Sequence, residues 1–196
     1  MKKMLFWKGR GTPDGILESF LTEASKYYEI TSVPFRYDVG DPPFYDKSEW
    51  ANWLKSNQFD HWCGLSLGAS LMYVMASVCS ECCPHTLTMI NPFFSRKILS
   101  DERGFSMTGQ WDMELKDYLP APKRLNIVLS VYDTKIPMWH GAEIINRTPV
   151  MDKRLILVKS DHVINRIEAQ TELANIIAGD DINDKKDKYC YIYKRQ

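Results

Sequence analysis

The feature that most constrains the fold is the alternation of short β-type segments with helical segments along the chain. Apolar runs such as "KMLFW", "HTLTMI" and "NIVLSVY" are separated by helical patterns, for example at residues 16–24, 67–80 and 163–178. Neighbouring parallel strands need long crossover connections, and helices usually supply them. Several strands are continuously apolar, which is typical of strands covered on both faces. The sequence therefore predicts an α/β fold with a mostly parallel, doubly wound sheet.

Length and composition fit one globular domain. The chain has 196 residues, of which 44% are hydrophobic, with 25 basic and 25 acidic side chains. The formal net charge is therefore zero, whereas nucleic-acid-binding domains usually carry an excess of positive charge. The longest apolar stretches fall short of a membrane span, and residues 4–7 are too few for a signal-peptide core. We expect a cytoplasmic protein with one domain over 1–179 and a polar tail over 180–196, with no nucleic-acid or membrane partner. Its oligomeric state stays open.

The cysteines indicate neither a metal site nor a disulfide framework. There are five, an odd number, and three lie close together in "CSECC". A zinc site would need a second Cys/His pair at suitable spacing, and His85 alone does not supply one. We therefore expect reduced thiols, mostly buried as small apolar groups, and no metal or cofactor.

Three predicted strands are followed by reactive side chains. Ser66 comes after "FDHWCG", Asp133 after "NIVLSVY" and His162 after "RLILVK". In parallel sheets, sites form at the carboxyl ends of the strands, so these side chains can share one crevice. Their order along the chain is nucleophile, acid, base, which is the order of hydrolases that carry their serine on a strand-to-helix elbow.

These loops carry a resemblance to a known family. "GLSLGAS" resembles a nucleophile elbow, "VLSVYDTKIP" an acid loop, "KSDHVINR" a base loop, and "TMINPFF" the strand that follows the elbow helix. Over about residues 3 to 179 the chain resembles a compact serine hydrolase of the α/β-hydrolase superfamily, similar to esterases and thioesterases. The resemblance implies an α/β-hydrolase fold that lacks the N-terminal antiparallel hairpin of many members.

The resemblance also implies a role for each reactive residue. Ser66 would be the nucleophile, His162 the base that takes its proton, and Asp133 the acid that orients the imidazole. The backbone N–H groups of Leu67 and Arg10 would form the oxyanion hole. Many members begin the oxyanion loop with His-Gly, whereas this chain has Lys8-Gly9.

Two glycines flank the candidate nucleophile. Gly64 and Gly68 stand two residues before and after Ser66. We expect the strand and helix of an elbow to pack too closely there for a Cβ atom.

Residues 93–122 form a less regular stretch, which is either a lid-like insertion or ordinary crossover packing. It is rich in large apolar side chains, which would favour an apolar acyl or aromatic substrate group. The candidate pocket residues are Phe93, Phe94, Trp111 and His140. The expected partner is a small-molecule or carrier-bound acyl substrate.

Alternatives to an ester or thioester hydrolase stay open at this point. An acyltransferase or cyclase would use the same acyl-enzyme, and a non-catalytic member would only bind a ligand. The loop "GRGTPDG" could bind a phosphate, but it lacks the Gly-Lys-Ser/Thr of a P-loop and the glycine spacing of a dinucleotide site.

Overall fold

The computed structural model describes residues 1–9, 12, 15–33, 47–95 and 114–179, which form a single six-stranded sheet with flanking helices. The strands are β1 (Lys2–Trp7), β2 (Tyr28–Ser32), β3 (His61–Leu65), β4 (Thr86–Ile90), β5 (Arg124–Ser130) and β6 (Asp152–Val158).

All strand pairs of the sheet are parallel, and their order is β2-β1-β3-β4-β5-β6. The chain moves outward from β1 to β2, then crosses back to β3 and continues in the opposite direction. The strand order therefore reverses between β1 and β3. In open parallel sheets the crevice at such a reversal is the usual location of a site.

Helices cover both faces of the sheet, as the sequence predicts. They are α1 (Glu18–Ala24), α2 (Lys47–Ser56), α3 (Leu67–Val78), α4 (Trp139–Arg147) and α5 (Ile167–Gly179). One apolar cluster joins α2, α3 and α4 to one face, and a second joins α1 and α5 to the other. Because neighbouring residues on a strand point to opposite faces, Met4 belongs to the second cluster and Leu5 to the first.

The helix α3 is the most buried of the five. Its first ten residues, from Leu67 to Ala76, are all buried. Their sequence, "LGASLMYVMA", is apolar on nearly every side, which fits a helix surrounded by protein. This burial fixes the start of α3 relative to the sheet, and Ser66 directly precedes it.

The last helix begins later than the sequence pattern predicts. The apolar spacing predicts a helix over 163–178, but α5 starts at Ile167. Ile164 has a φ of 52°, which a right-handed helix cannot contain. The four residues before α5 instead form an irregular loop that follows His162. The first helix is likewise shorter than expected, since residues 15–17 form a turn before α1.

The prediction of reduced cysteines is wrong for one pair, because Cys79 and Cys82 form a disulfide. They lie at the end of α3 and in the following 3₁₀ turn, Ser80–Cys82. This tight turn brings their Cα atoms within 5.3 Å of each other, inside the usual range for a disulfide. Cys63 and Cys83 carry free thiols, the first buried and the second half-buried.

None of the helices in the described part of the chain is both long and apolar enough to cross a membrane. The tail over 180–196 lies outside the described residues, so the division into a domain and a tail stays a prediction.

Candidate active site

Ser66 occupies a strained turn between β3 and α3. Its backbone has a φ of 54° and a ψ of −121°, a conformation that side-chain-bearing residues rarely adopt. Backbone bonds on both sides hold it there. The Ser66 N–H donates to the Ile90 carbonyl at 2.8 Å, and the Ser66 carbonyl accepts from the Ser70 N–H at 3.1 Å. The turn lifts the hydroxyl out of the sheet at the carboxyl end of β3.

The glycines around Ser66 are required by close backbone approach, as the sequence predicts. A Cβ atom on Gly64 would lie 2.6 Å from the backbone of Ala69, and one on Gly68 would lie 2.5 Å from the Trp7 carbonyl. Gly9, in the loop after β1, packs directly on the turn, since its Cβ would lie 2.9 Å from the Ser66 Cβ. Strand β3, helix α3 and the loop after β1 therefore meet at Ser66 with no space for side chains between them.

The three candidate catalytic side chains lie in one hydrogen-bonded chain. The Ser66 Oγ is 2.9 Å from the His162 Nε2, and the His162 Nδ1 is 2.7 Å from the Asp133 Oδ2. The His162 side chain is 11% exposed and that of Asp133 is 2% exposed. A carboxylate accepts the Nδ1–H of a neutral imidazole, which leaves the Nε2 lone pair facing the serine hydroxyl.

Asp133 is fixed by its own loop. Its Oδ1 accepts the backbone N–H groups of Lys135 and Ile136, at 2.7 and 2.9 Å, while the Oδ2 points at His162. The neighbouring acid, Asp161, has a different role. Its Oδ1 accepts the Asn165 N–H at 3.1 Å and thereby closes the loop that carries His162.

The loop that carries His162 is anchored by buried polar contacts. The Gln170 Nε2 on α5 donates to the carbonyls of Ile164 at 2.7 Å and Ile16 at 2.8 Å. The Gln170 Oε1 accepts the Phe20 N–H. The strained Ile164 is fully buried. This loop is therefore held by α1 and α5 together.

Backbone strain is concentrated at the site. Among the described residues, three that are not glycine have a positive φ, and they are Ser66, Asn91 and Ile164. They lie at or beyond the carboxyl ends of β3, β4 and β6. Strain of this kind persists only where surrounding contacts enforce it, and it clusters at active sites.

One of the two predicted oxyanion donors is described. Leu67 is the first residue of α3. The backbone N–H groups in the first turn of a helix have no acceptor within the helix, and the helix dipole is positive at this end. The Leu67 N–H is therefore suited to stabilise a negatively charged oxygen. The other, Arg10, lies outside the described residues, between Gly9 and Thr12.

Three of the four predicted pocket residues lie in the described part of the chain, and all three are buried. Phe93 and Phe94 lie in the apolar cluster around α3, with exposures of 3% and 7%. His140 is fully buried, and its Nδ1 accepts the Phe94 N–H at 2.9 Å. Trp111 lies outside the described residues. Their role in a substrate pocket stays a prediction.

Two residues that hold the site, Asn91 and Gln170, were not predicted from the sequence. Asn91 directly follows β4 and precedes Pro92. Asparagine adopts a positive φ more readily than most residues, so its location after β4 was an available signal.

Other reactive groups near the elbow do not compete with Ser66. Burial raises the pKa of the Cys63 thiol far above its ordinary value, so this thiol stays protonated in the core. Within the described ranges, no three His, Cys, Asp or Glu side chains are grouped so that they could hold a metal ion.

Comparison with solved structures identifies the fold. The esterase domain of a Rhodothermus marinus protein superposes with a TM-score of 0.66 at 15% identity, over 91% of this chain and 84% of that one. Alpha/beta hydrolase domain-containing protein 10 from mouse gives 0.65 at 16%, over 92% and 88%. The chain has the α/β-hydrolase fold. A monoacylglycerol lipase of Paleococcus ferrophilus also shares this fold, with a TM-score of 0.62 at 11% identity over 89% and 91%. The sequence itself matched no protein-family model and no curated protein.

The α/β-hydrolase fold confirms the fold class predicted from the strand and helix alternation and from the elbow, acid and base loops. Among the described residues, antiparallel pairing is limited to an isolated bridge between Ser95 and Glu114. The sheet itself is parallel throughout, as expected for a version without the N-terminal hairpin.

The elbow packing of this fold can be tested with Gly68→Ala. In an open helix this change stabilises by about 1 kcal/mol. Here the new Cβ would meet the carbonyl oxygens of Trp7 and Lys8, which cannot rotate away. We expect the free energy of unfolding to fall by about 1 to 3 kcal/mol, measured by urea denaturation.

The matched control for that change is Gly141→Ala in α4. The three atoms nearest to its Cβ would be side-chain methyl carbons of Leu129 and Ile127, and the nearest of them, at the end of the Leu129 side chain, can shift more easily than a backbone carbonyl. The control should lose less stability. A Gly68→Ala protein at least as stable as the parent would contradict the close packing at the elbow.

Proposed function

We propose that the protein is a serine hydrolase that cleaves an ester or thioester through an acyl-Ser66 intermediate. The observation that carries the proposal is the hydrogen-bonded chain from the Ser66 Oγ through His162 to Asp133, built on a serine with a φ of 54°. The α/β-hydrolase fold supports it, because the triad order in this chain is the one that the fold uses.

In the first half-reaction, the Ser66 Oγ attacks the carbonyl carbon of the substrate. The His162 Nε2 takes the hydroxyl proton, and Asp133 stabilises the imidazolium that forms. The negative charge on the carbonyl oxygen is stabilised by the Leu67 N–H and, as proposed from the sequence, by the N–H of Arg10. When the tetrahedral intermediate collapses, the bond to the leaving group breaks. The alcohol or thiol then leaves with the proton from His162.

In the second half-reaction, water attacks the acyl-Ser66 ester. His162 takes a proton from the water and returns it to the Ser66 Oγ, which releases the carboxylic acid and restores the enzyme. If an amine or an alcohol replaces the water, the same intermediate gives acyl transfer. The residues of the triad are common to both outcomes.

An apolar acyl group is the proposed substrate feature. Four apolar side chains around the acid loop are between 38% and 60% exposed, and they are Val131, Tyr132, Met138 and Trp139. They follow β5 or begin α4, so they lie toward the same end of the sheet as Ser66. Apolar groups exposed beside a site favour an apolar ligand. The proposal covers both a free acyl ester and an acyl group attached to a carrier.

The experiment is a series of p-nitrophenyl esters from acetyl to dodecanoyl. We expect turnover, and we expect kcat/KM to rise nearly fourfold for each added methylene, since each buried CH₂ contributes about 0.8 kcal/mol, until the pocket is full. Product analysis with a competing amine then separates hydrolysis from transfer, because a transferase passes most of the acyl group to the amine although water is in large excess. Absence of turnover across this series and across the matching thioesters would contradict the proposal.

A further inference from the structure

The last residue of β4 and the segment that follows it are bonded to the nucleophile elbow and to the start of α3. The Ile90 carbonyl accepts the Ser66 N–H at 2.8 Å. Two residues beyond Asn91, the Phe93 backbone exchanges two hydrogen bonds with the Ser70 hydroxyl on α3, at 3.0 and 3.2 Å. This segment and the start of α3 therefore hold each other in place.

Asn91 extends the same connection to the loop of the base. Its Oδ1 accepts the Ser130 N–H at 2.7 Å, and its Nδ2 donates to the Ser130 Oγ at 2.8 Å and to the His162 carbonyl at 2.6 Å. Asn91 is 2% exposed and Ser130 is fully buried. Both the oxygen and the nitrogen of the Asn91 side-chain amide therefore make hydrogen bonds inside the protein.

The chemistry of the partners fixes the orientation of this amide. The backbone N–H of Ser130 can only donate, and the backbone carbonyl of His162 can only accept. The amide oxygen must therefore face Ser130 and the amide nitrogen must face His162. An aspartate at this position has the same shape but would direct an oxygen at the His162 carbonyl.

The backbone of Asn91 is adapted to the same task. Its φ is 46°, a conformation in which asparagine is enriched, and its N–H donates to the Val128 carbonyl at 2.8 Å. Ser130 in turn begins the acid loop, since its carbonyl accepts the Asp133 N–H at 3.1 Å. Asn91 is therefore directly bonded both to the acid loop and to the base.

We propose that Asn91 is a positioning residue that fixes the backbone of His162 so that its Nε2 stays in reach of the Ser66 Oγ. The inference rests on the proposed function, because it concerns the same base. A buried polar side chain costs free energy unless its hydrogen bonds are made, and here they join Ser130, where the acid loop begins, to the base His162. Asn91 does not touch the reacting atoms.

The test compares two variants, Asn91→Gly and Asn91→Asp, with the parent. The glycine removes the amide and accepts the positive φ, and the aspartate keeps the shape but loses the donor to His162. A base displaced by about 1 Å can lower the rate about 100-fold. We expect kcat and the rate of fluorophosphonate labelling of Ser66 to fall roughly 10- to 100-fold in both variants, with KM nearly unchanged.

Thr88→Val is the matched control. Thr88 lies on β4, fully buried, and its hydroxyl is bonded to His61 and Asn126 rather than to the triad. We expect it to lower the thermal midpoint as much as the Asn91 variants do and to leave kcat and labelling close to those of the parent.

The outcomes separate the inference from the proposed function. If the parent is not labelled and cleaves no ester, the proposed function is wrong. If the parent is labelled and either folded Asn91 variant is labelled at the rate of the Thr88→Val protein, the positioning role is wrong. A fall in labelling that Thr88→Val shares to the same extent also overturns it, because loss of stability alone would then explain the effect.

Discussion

Replacement of Ser66 by alanine is expected to abolish ester turnover and leave the fold intact. Loss of the nucleophile in a triad lowers kcat by roughly 10⁴- to 10⁶-fold, because the acyl-enzyme can no longer form. Alanine fits the same turn, and the lost bond to His162 should change the free energy of unfolding by about 1 kcal/mol or less. Ester hydrolysis and thermal unfolding measure the two effects on the same protein.

Ser56→Ala is the control for that change. Its hydroxyl is exposed and donates to the Asn52 carbonyl at the end of α2, away from the site. This variant should keep the activity of the parent. A Ser66→Ala protein that keeps most of its turnover would show that another group performs the chemistry.

Replacement of His162 by glutamine is expected to lower kcat by a similar factor. Glutamine can hydrogen-bond to Ser66 but cannot take its proton at neutral pH, so the serine is no longer activated. We expect kcat to fall by roughly 10⁴- to 10⁶-fold with KM much less affected. Steady-state kinetics on the best ester of the series measures the change.

His85→Gln is the matched control, since His85 is exposed and directly precedes β4, at the other end of the strand from Asn91. This variant should have the kcat and KM of the parent. Equal losses in the two variants would contradict the assignment of His162 as the base.

The parts of the fold that sequence predicted well are those in which local pattern and burial agree. Continuous apolar runs such as "NIVLSVY" can be satisfied only by doubly covered strands, and the helices between them then have to lie on the two faces. The glycines at 64 and 68 were informative for a similar reason, because close backbone contact excludes every other residue.

Predictions were wrong where a contact between residues a few positions apart, which the apolar spacing does not reveal, decided the local structure. The apolar spacing after His162 suits a helix, but Gln170 binds the carbonyl of Ile164 and the loop stays irregular until Ile167. Cys79 and Cys82 have a spacing that suits a free pair equally well, and only the 3₁₀ turn brings them together.

The proximity of the Ser66, Asp133 and His162 side chains was predictable, because the carboxyl ends of neighbouring parallel strands meet at one edge of a sheet. Their catalytic role stays a prediction. The residues that hold these side chains in place could not be predicted in this way. Asn91 acts through partners 39 and 71 residues away along the chain, and no local pattern encodes such distances. The Asn-Pro pair indicates where a strand ends, but it gives no information about the partners of the asparagine side chain.

The most direct test of the central claim is the intact mass of the protein after treatment with a fluorophosphonate. Such a probe phosphonylates a serine that a neighbouring base has activated, with loss of fluoride. We predict one adduct per chain on the peptide that contains Ser66, and none in the Ser66→Ala protein. An unmodified parent, or an adduct that persists when Ser66 is replaced, would contradict the account.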